Sequence, residues 1–125
     1  MNLNCFTLIK DNKRIVTRLI LTLIDRVKFE GRNVEQELDL LTQFRSTFGS
    51  VEKVLFNIVE RVNSLAMRVR SLRPNHEHNS GSASFVRGCM AFNYITIPSI
   101  EDPSLVIRLY TSTAQVFLRL ITTSI

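Results

Sequence analysis

The feature that most constrains this chain is a run of apolar residues spaced alternately four and three positions apart. Val51, Leu55, Ile58, Val62, Leu65 and Val69 fall at these steps within Gly49–Arg70. Such spacing places them on one stripe of an α-helix, and Val54, Val59 and Ala66 widen that stripe. A helix of this length runs about 30 Å, enough for segments before and after it to dock on it. Ser50 stands at the N-cap, and Glu52 lies in the first turn, where the positive end of the dipole favours a carboxylate. Arg68, Arg70 and Arg73 gather where the last carbonyls are free and a cation helps.

Helical periodicity continues on both sides. Asp11–Val27 reads as a first helix, with Val16, Leu19, Ile20, Leu23, Ile24 and Val27 on one face; the residues before it are the tail of an earlier helix or a frayed end. Gly31 breaks the pattern, and Asn33 with Gln36 three positions on forms a capping box for a second helix. Val34, Leu38, Leu41, Phe44 and Phe48 line its inner face, and Gly49 is expected to adopt a left-handed conformation at its end. Residues 71–84, SLRPNHEHNSGSAS, read as a polar loop. Phe85–Thr96 is apolar nearly all round and therefore calls for cover on every side, with Phe85, Cys89 and Phe92 together and Met90 and Tyr94 spreading the surface. Pro98 stops that segment. Asp102 and Pro103 open a last helix whose apolar face holds Val106, Leu109, Tyr110, Thr113, Val116, Phe117, Leu120 and Ile121.

About five helices with short connections predict an all-α fold of stacked antiparallel helical hairpins, an α-solenoid of HEAT-like type. The 125 residues read as a single helical segment, 45% hydrophobic and 22% charged, which makes the chain globular. Four glycines and three prolines are too few for a turn-rich β-sandwich. The fourth helix needs more cover than four neighbours supply, and the terminal Thr-Thr-Ser-Ile carries no stop signal, so the expectation is a piece of a longer solenoid. Cys5 and Cys89 give no disulfide framework, which fits a reducing cytosol. The opening MNLNCFTLIK lacks the basic start of a signal peptide. The most hydrophobic window, Ile15–Ile24, contains Arg18 and falls short of the roughly 20 residues of a spanning helix, so the protein reads as soluble.

No catalytic, cofactor or metal site emerges. His76, Glu77, His78 and Cys89 lack the fourth ligand and the spacing of a structural zinc site, and Cys89 lies in an apolar helix where burial leaves a thiol inert. Glu35, Glu37 and Asp39 are neighbours on one element rather than a pair across a cleft; their simplest role is to complement the dipole and solvate the outer face. The four glycines are isolated, so no phosphate loop exists. The net charge of +5 permits nucleic acid as an alternative partner through Arg61, Arg68, Arg70, Arg73 and Arg87, with Phe85 or Tyr94 to stack on bases. Those aromatics fall on apolar stripes, however, which assigns them to the core.

Three segments resemble one family. GRNVEQEL (31–38) is similar to its Gly-Arg-Asp-Phe-Glu-Gln-Gln-Leu pattern, and VEKVLFNIVERVNSLAMRVR (51–70) resembles its Val-Asn-Arg-Leu-Ala-Met helix. FVRGCMAFNYITIPSI with RLYTSTAQV resembles its Phe-Val-Arg-Ala-Cys…Ile-Thr-Ile-Pro-Ser…Leu-Tyr…Gln-Val block, the most specific part being ITIPS (95–99) ahead of Leu109-Tyr110 and Gln115-Val116. The family is the vacuolar protein sorting-associated protein 35-like group, the α-solenoid scaffold of the retriever complex, and about residues 13–118 resemble a late part of its solenoid. Glu30, an apparent insertion, and Pro103 depart from the pattern. The resemblance implies a non-enzymatic cytoplasmic scaffold, peripherally associated with endosomes. It would hold an arrestin-fold and a metallophosphoesterase-fold subunit for recycling cargo to the plasma membrane, with no small-molecule substrate and no membrane insertion.

Overall fold

The computed structural model describes residues 2–26, 33–71 and 80–122. Among them the fold is all-α: α1 Asn2–Arg26, α2 Val34–Phe48, α3 Glu52–Ser71, α4 Ser80–Thr96, a 3-10 turn Ile97–Ser99, and α5 Pro103–Thr122. The chain divides into two compact units, one holding α1 and the other the remaining helices.

α1 starts nine residues ahead of the expected Asp11, because nothing between Asn2 and Arg26 breaks a helix. Thr17 and Thr22 donate their hydroxyls to the Lys13 and Arg18 carbonyls, so these β-branched polar residues satisfy themselves within the helix. The end expected at Val27 lies outside the described residues.

In the second unit α3 is the spine, with α2, α4 and α5 all packed against it. Its stripe is buried as its spacing requires: Val54, Leu55, Ile58, Val59, Val62, Leu65, Ala66 and Val69 are all inside. Val51, rather than Ser50, is the residue before the helix; its carbonyl accepts the amides of Val54 and Leu55.

α2 opens with the expected capping box. The Gln36 amide donates to Asn33 Oδ1 at 2.9 Å, and the Asn33 amide donates back to Gln36 Oε1 at 3.3 Å. Its end differs from expectation. Gly49 has φ −65° and ψ −10°, so no left-handed residue is needed. Glycine is required there by proximity instead, since a Cβ would lie 2.6 Å from the Arg45 carbonyl oxygen.

α4 starts at Ser80, ahead of Phe85, so the final residues of the predicted 71–84 loop are helical; 72–79 lie outside the described residues. The 3-10 turn contains Pro98, which cannot continue the α-helix. It delivers Ile97 and Ile100 into a core with Leu55, Val59 and Leu109, flanked by Phe56, Leu105 and Val106. Asp102 then caps α5: its Oδ1 accepts from the Ser104 hydroxyl at 2.9 Å and from the Ser104 amide at 3.0 Å, which together hold its carboxyl below the usual carboxylate range.

Candidate functional site

The polar residues inside this helical unit all lie at helix–helix joints. Asn93 on α4, fully buried, donates to Asn63 Oδ1 on α3 at 2.8 Å, and Asn63 donates in turn to Thr113 Oγ1 on α5 at 3.0 Å. One amide chain therefore fixes the register of three helices, since sliding any one of them would strand buried polar groups. Asn93 Oδ1 is itself buried without a hydrogen-bond partner.

A second joint ties α2 to α4. The Arg45 guanidinium lies 4.3 Å from the centre of the Phe92 ring and donates to Thr96 Oγ1 at 2.9 Å, while the Thr96 hydroxyl donates to the Phe92 carbonyl. α5 is held to α3 by Ser112, which donates to Glu60 Oε1 at 2.9 Å, and by Arg108 stacked over Phe56. Glu52, in the first turn of α3, also accepts the amide of Glu101 ahead of α5. These groups bond to one another and to backbone; no nucleophile is set beside a base and an oxyanion donor pair.

The sequence candidates scatter. His76, Glu77, His78 and Arg73 lie outside the described residues, and no group of three His, Cys, Asp or Glu gathers among the described ones. Cys89 is buried, and burial pushes its thiol up to about 12, away from nucleophilic use near neutral pH. Glu35 and Asp39 are exposed as expected, but Glu37 is not on a solvated outer face. It is buried and ion-paired to Arg68 of α3. Two positions along a helix is a rotation of about 200°, which carries Glu37 to the side opposite its acidic neighbours.

That pair also dismantles the basic patch. Arg68 meets Glu37, Arg61 is half-buried, and Arg87 is exposed on α4. The two proposed stacking aromatics part company: Phe85 is buried, while Tyr94 is 75% exposed and is not core. α4 is likewise not covered on every side among the described residues. Met90, Tyr94 and Ile95 face outward, because Asn93 and Thr96 take inward positions that their hydrogen bonds make habitable. No helix among the described residues is long and apolar enough to cross a membrane.

This architecture of a buried spine with polar joints has counterparts. The sequence profile of the VPS35L C-terminal domain matches residues 2–122. The chain belongs to the VPS35L family. It is 39% identical over 116 residues to the "VPS35 endosomal protein-sorting factor-like" protein of Rattus norvegicus and 38% over 117 residues to that of Homo sapiens, covering 93% and 94% of this chain. The protein of the same name from Dictyostelium discoideum is 34% identical over 110 residues, 88% of this chain. The chain spans 12% of the length of the rat and human relatives and 11% of the Dictyostelium one.

The segments that carry the VPS35L likeness map mainly onto packing. Thr96, Ile97 and Leu109 are buried, as are Asn63, Leu65 and Ala66 within the α3 motif. Ile95 and Tyr110 are the exposed members of the last block. Sequence reasoning missed the Asn63–Asn93–Thr113 chain, although an asparagine interrupting the apolar FVRGCMAFNYIT was its visible sign.

Proposed function

We propose that this VPS35L-family chain is a non-enzymatic scaffold segment of a retriever-type assembly. In this reading it acts at the cytoplasmic face of endosomes, where the assembly holds an arrestin-fold and a metallophosphoesterase-fold subunit and returns cargo to the plasma membrane. The carrying observation is the match of the VPS35L C-terminal domain over residues 2–122. The relatives' description as endosomal protein-sorting factors supports the setting. The geometry supports the role: its buried polar groups hold helices in register, as a shape-defining segment requires.

Co-purification tests this reading against nucleic-acid binding. The tagged chain is co-expressed with the arrestin-fold and metallophosphoesterase-fold subunits and recovered across a salt series. Retention of at least one subunit through moderate salt is the expected result. Recovery of RNA or DNA that falls steeply with salt, with neither subunit retained, would overturn it.

A further inference from the structure

α5 carries two apolar stripes. The inward one, Leu109, Phe117 and Leu120, is buried in the second unit. The other runs along the opposite side and consists of Ile107, Thr111, Ala114, Leu118 and Ile121. All five are exposed, Ile107 at 66%, Leu118 at 64% and Ile121 at 56%. Their steps of four, three, four and three are the spacing by which one helix seats along another. The two small residues lie between large ones, so an approaching backbone can come close at the middle while the ends supply apolar contact.

Charge selects the occupant. α5 contains no carboxylate along its whole length. One shoulder of the outer stripe bears Gln115, with Arg108 and Arg119 beside it, whereas Tyr110 lies on the other shoulder. A second copy of α5 running antiparallel would set this cationic shoulder against its own equivalent, and a parallel copy would still offer it no carboxylate. One face of a single helix also covers far less than the roughly 800 Å² per partner of a standard stable interface, so a symmetric dimer held by this stripe alone would be weak.

We propose that the outer stripe of α5 is a docking seam for an amphipathic helix of a protein partner whose flank carries carboxylates. The apolar stripe gives the partner its seat, and the arginine shoulder sets its register and sign. This goes beyond the scaffold role and rests on it only in taking a protein as the partner.

The test uses the full chain and two designed helical peptides with leucines at alternating four- and three-residue steps, one flanked by glutamate and the other by lysine. Binding is followed by fluorescence anisotropy at low and at physiological salt. The glutamate peptide is expected to bind at least about tenfold tighter than its lysine sibling, with the gap closing as salt rises. Leu118→Asp should weaken the glutamate peptide by about tenfold or more. Gln115→Glu should narrow the ratio between the peptides, and both exposed positions should leave the melting temperature unchanged.

Equal binding of the two peptides, no binding of either, or binding untouched by Leu118→Asp would overturn the seam. A concentration-dependent dimer that Leu118→Asp splits would make the occupant a second copy. Displacement of the peptide by a single-stranded oligonucleotide of higher affinity would make it a nucleic acid; either result overturns the proposal. Peptide docking on the stripe without co-purification of retriever-type subunits would sink the scaffold role and leave the seam standing, and the converse result would do the reverse.

Discussion

Arg68→Ala is expected to destabilise the protein far more than removal of the partner it pairs with. The Glu37 side chain is 4% exposed, whereas that of Arg68 is 46% exposed. Removing the arginine leaves a carboxylate inside the unit without its counter-ion. Breaking a fully buried pair costs about 3–5 kcal/mol, and because water reaches one half of this pair the expected loss is about 2–4 kcal/mol. Removing the carboxylate is different. In Glu37→Leu the site gains an apolar side chain of similar size, and Arg68 turns to solvent through its open half, so the change should stay within about 1 kcal/mol. The double variant should match Glu37→Leu, because no charge is left stranded. Urea unfolding of the four proteins measures this directly through midpoints at constant slope. The reasoning is refuted if Glu37→Leu costs as much as Arg68→Ala, or if Arg68→Ala changes stability by less than about 0.5 kcal/mol.

Other outcomes follow from single positions. Gly88 sits exposed within α4, where an added Cβ would meet nothing within 4 Å, so Gly88→Ala should stabilise by about 0.5–1 kcal/mol in thermal or chemical melts. Phe92→Ala removes a buried ring and the surface on which Arg45 stacks; a loss of about 3–5 kcal/mol is expected in the same assay, with Phe92→Leu losing distinctly less. The Cys89 thiol should react slowly with maleimide at pH 8 in the native protein and rapidly in denaturant. Because its folded value, about 12, lies above the model thiol value of 9.0, its contribution is intact below about pH 9 and declines as pH rises from there toward 12, so a Cys89→Ala variant should show a shallower alkaline loss.

Much of the fold was legible because α3 is a simple case. One stripe, buried on one side, leaves a 3.6-residue signature that no strand or loop imitates, and all its interior members are buried. Caps were legible for the same local reason: Asn33 with Gln36, and Asp102 with Ser104, act within one turn. What the sequence hid was pairing at a distance. Glu37 and Arg68 are 31 positions apart, and Asn63 and Thr113 are 50 apart. Nothing in either neighbourhood announces the other. α4 misled in a different way. Its composition is apolar on all sides, yet hydrogen-bonded Asn93 and Thr96 face inward while Tyr94 and Ile95 face outward. Hydrophobicity alone therefore does not assign its inside. Gly49 was expected for a backbone angle and is needed for a close approach to the Arg45 carbonyl, a distinction that only coordinates reveal.

The scaffold role itself is tested most directly by exchange. The human relative shares 38% identity with this chain over 117 residues, so the matching segment of that full-length protein can be replaced by this one. The chimera is then expressed in cells lacking their own copy, and both the arrestin-fold and the metallophosphoesterase-fold subunits are quantified on the purified chimera. The account predicts retention of both at near the level of the unaltered relative, with Phe92→Ala in the grafted segment reducing it through lost fold. A chimera that is folded and abundant yet recovers neither subunit would contradict the account.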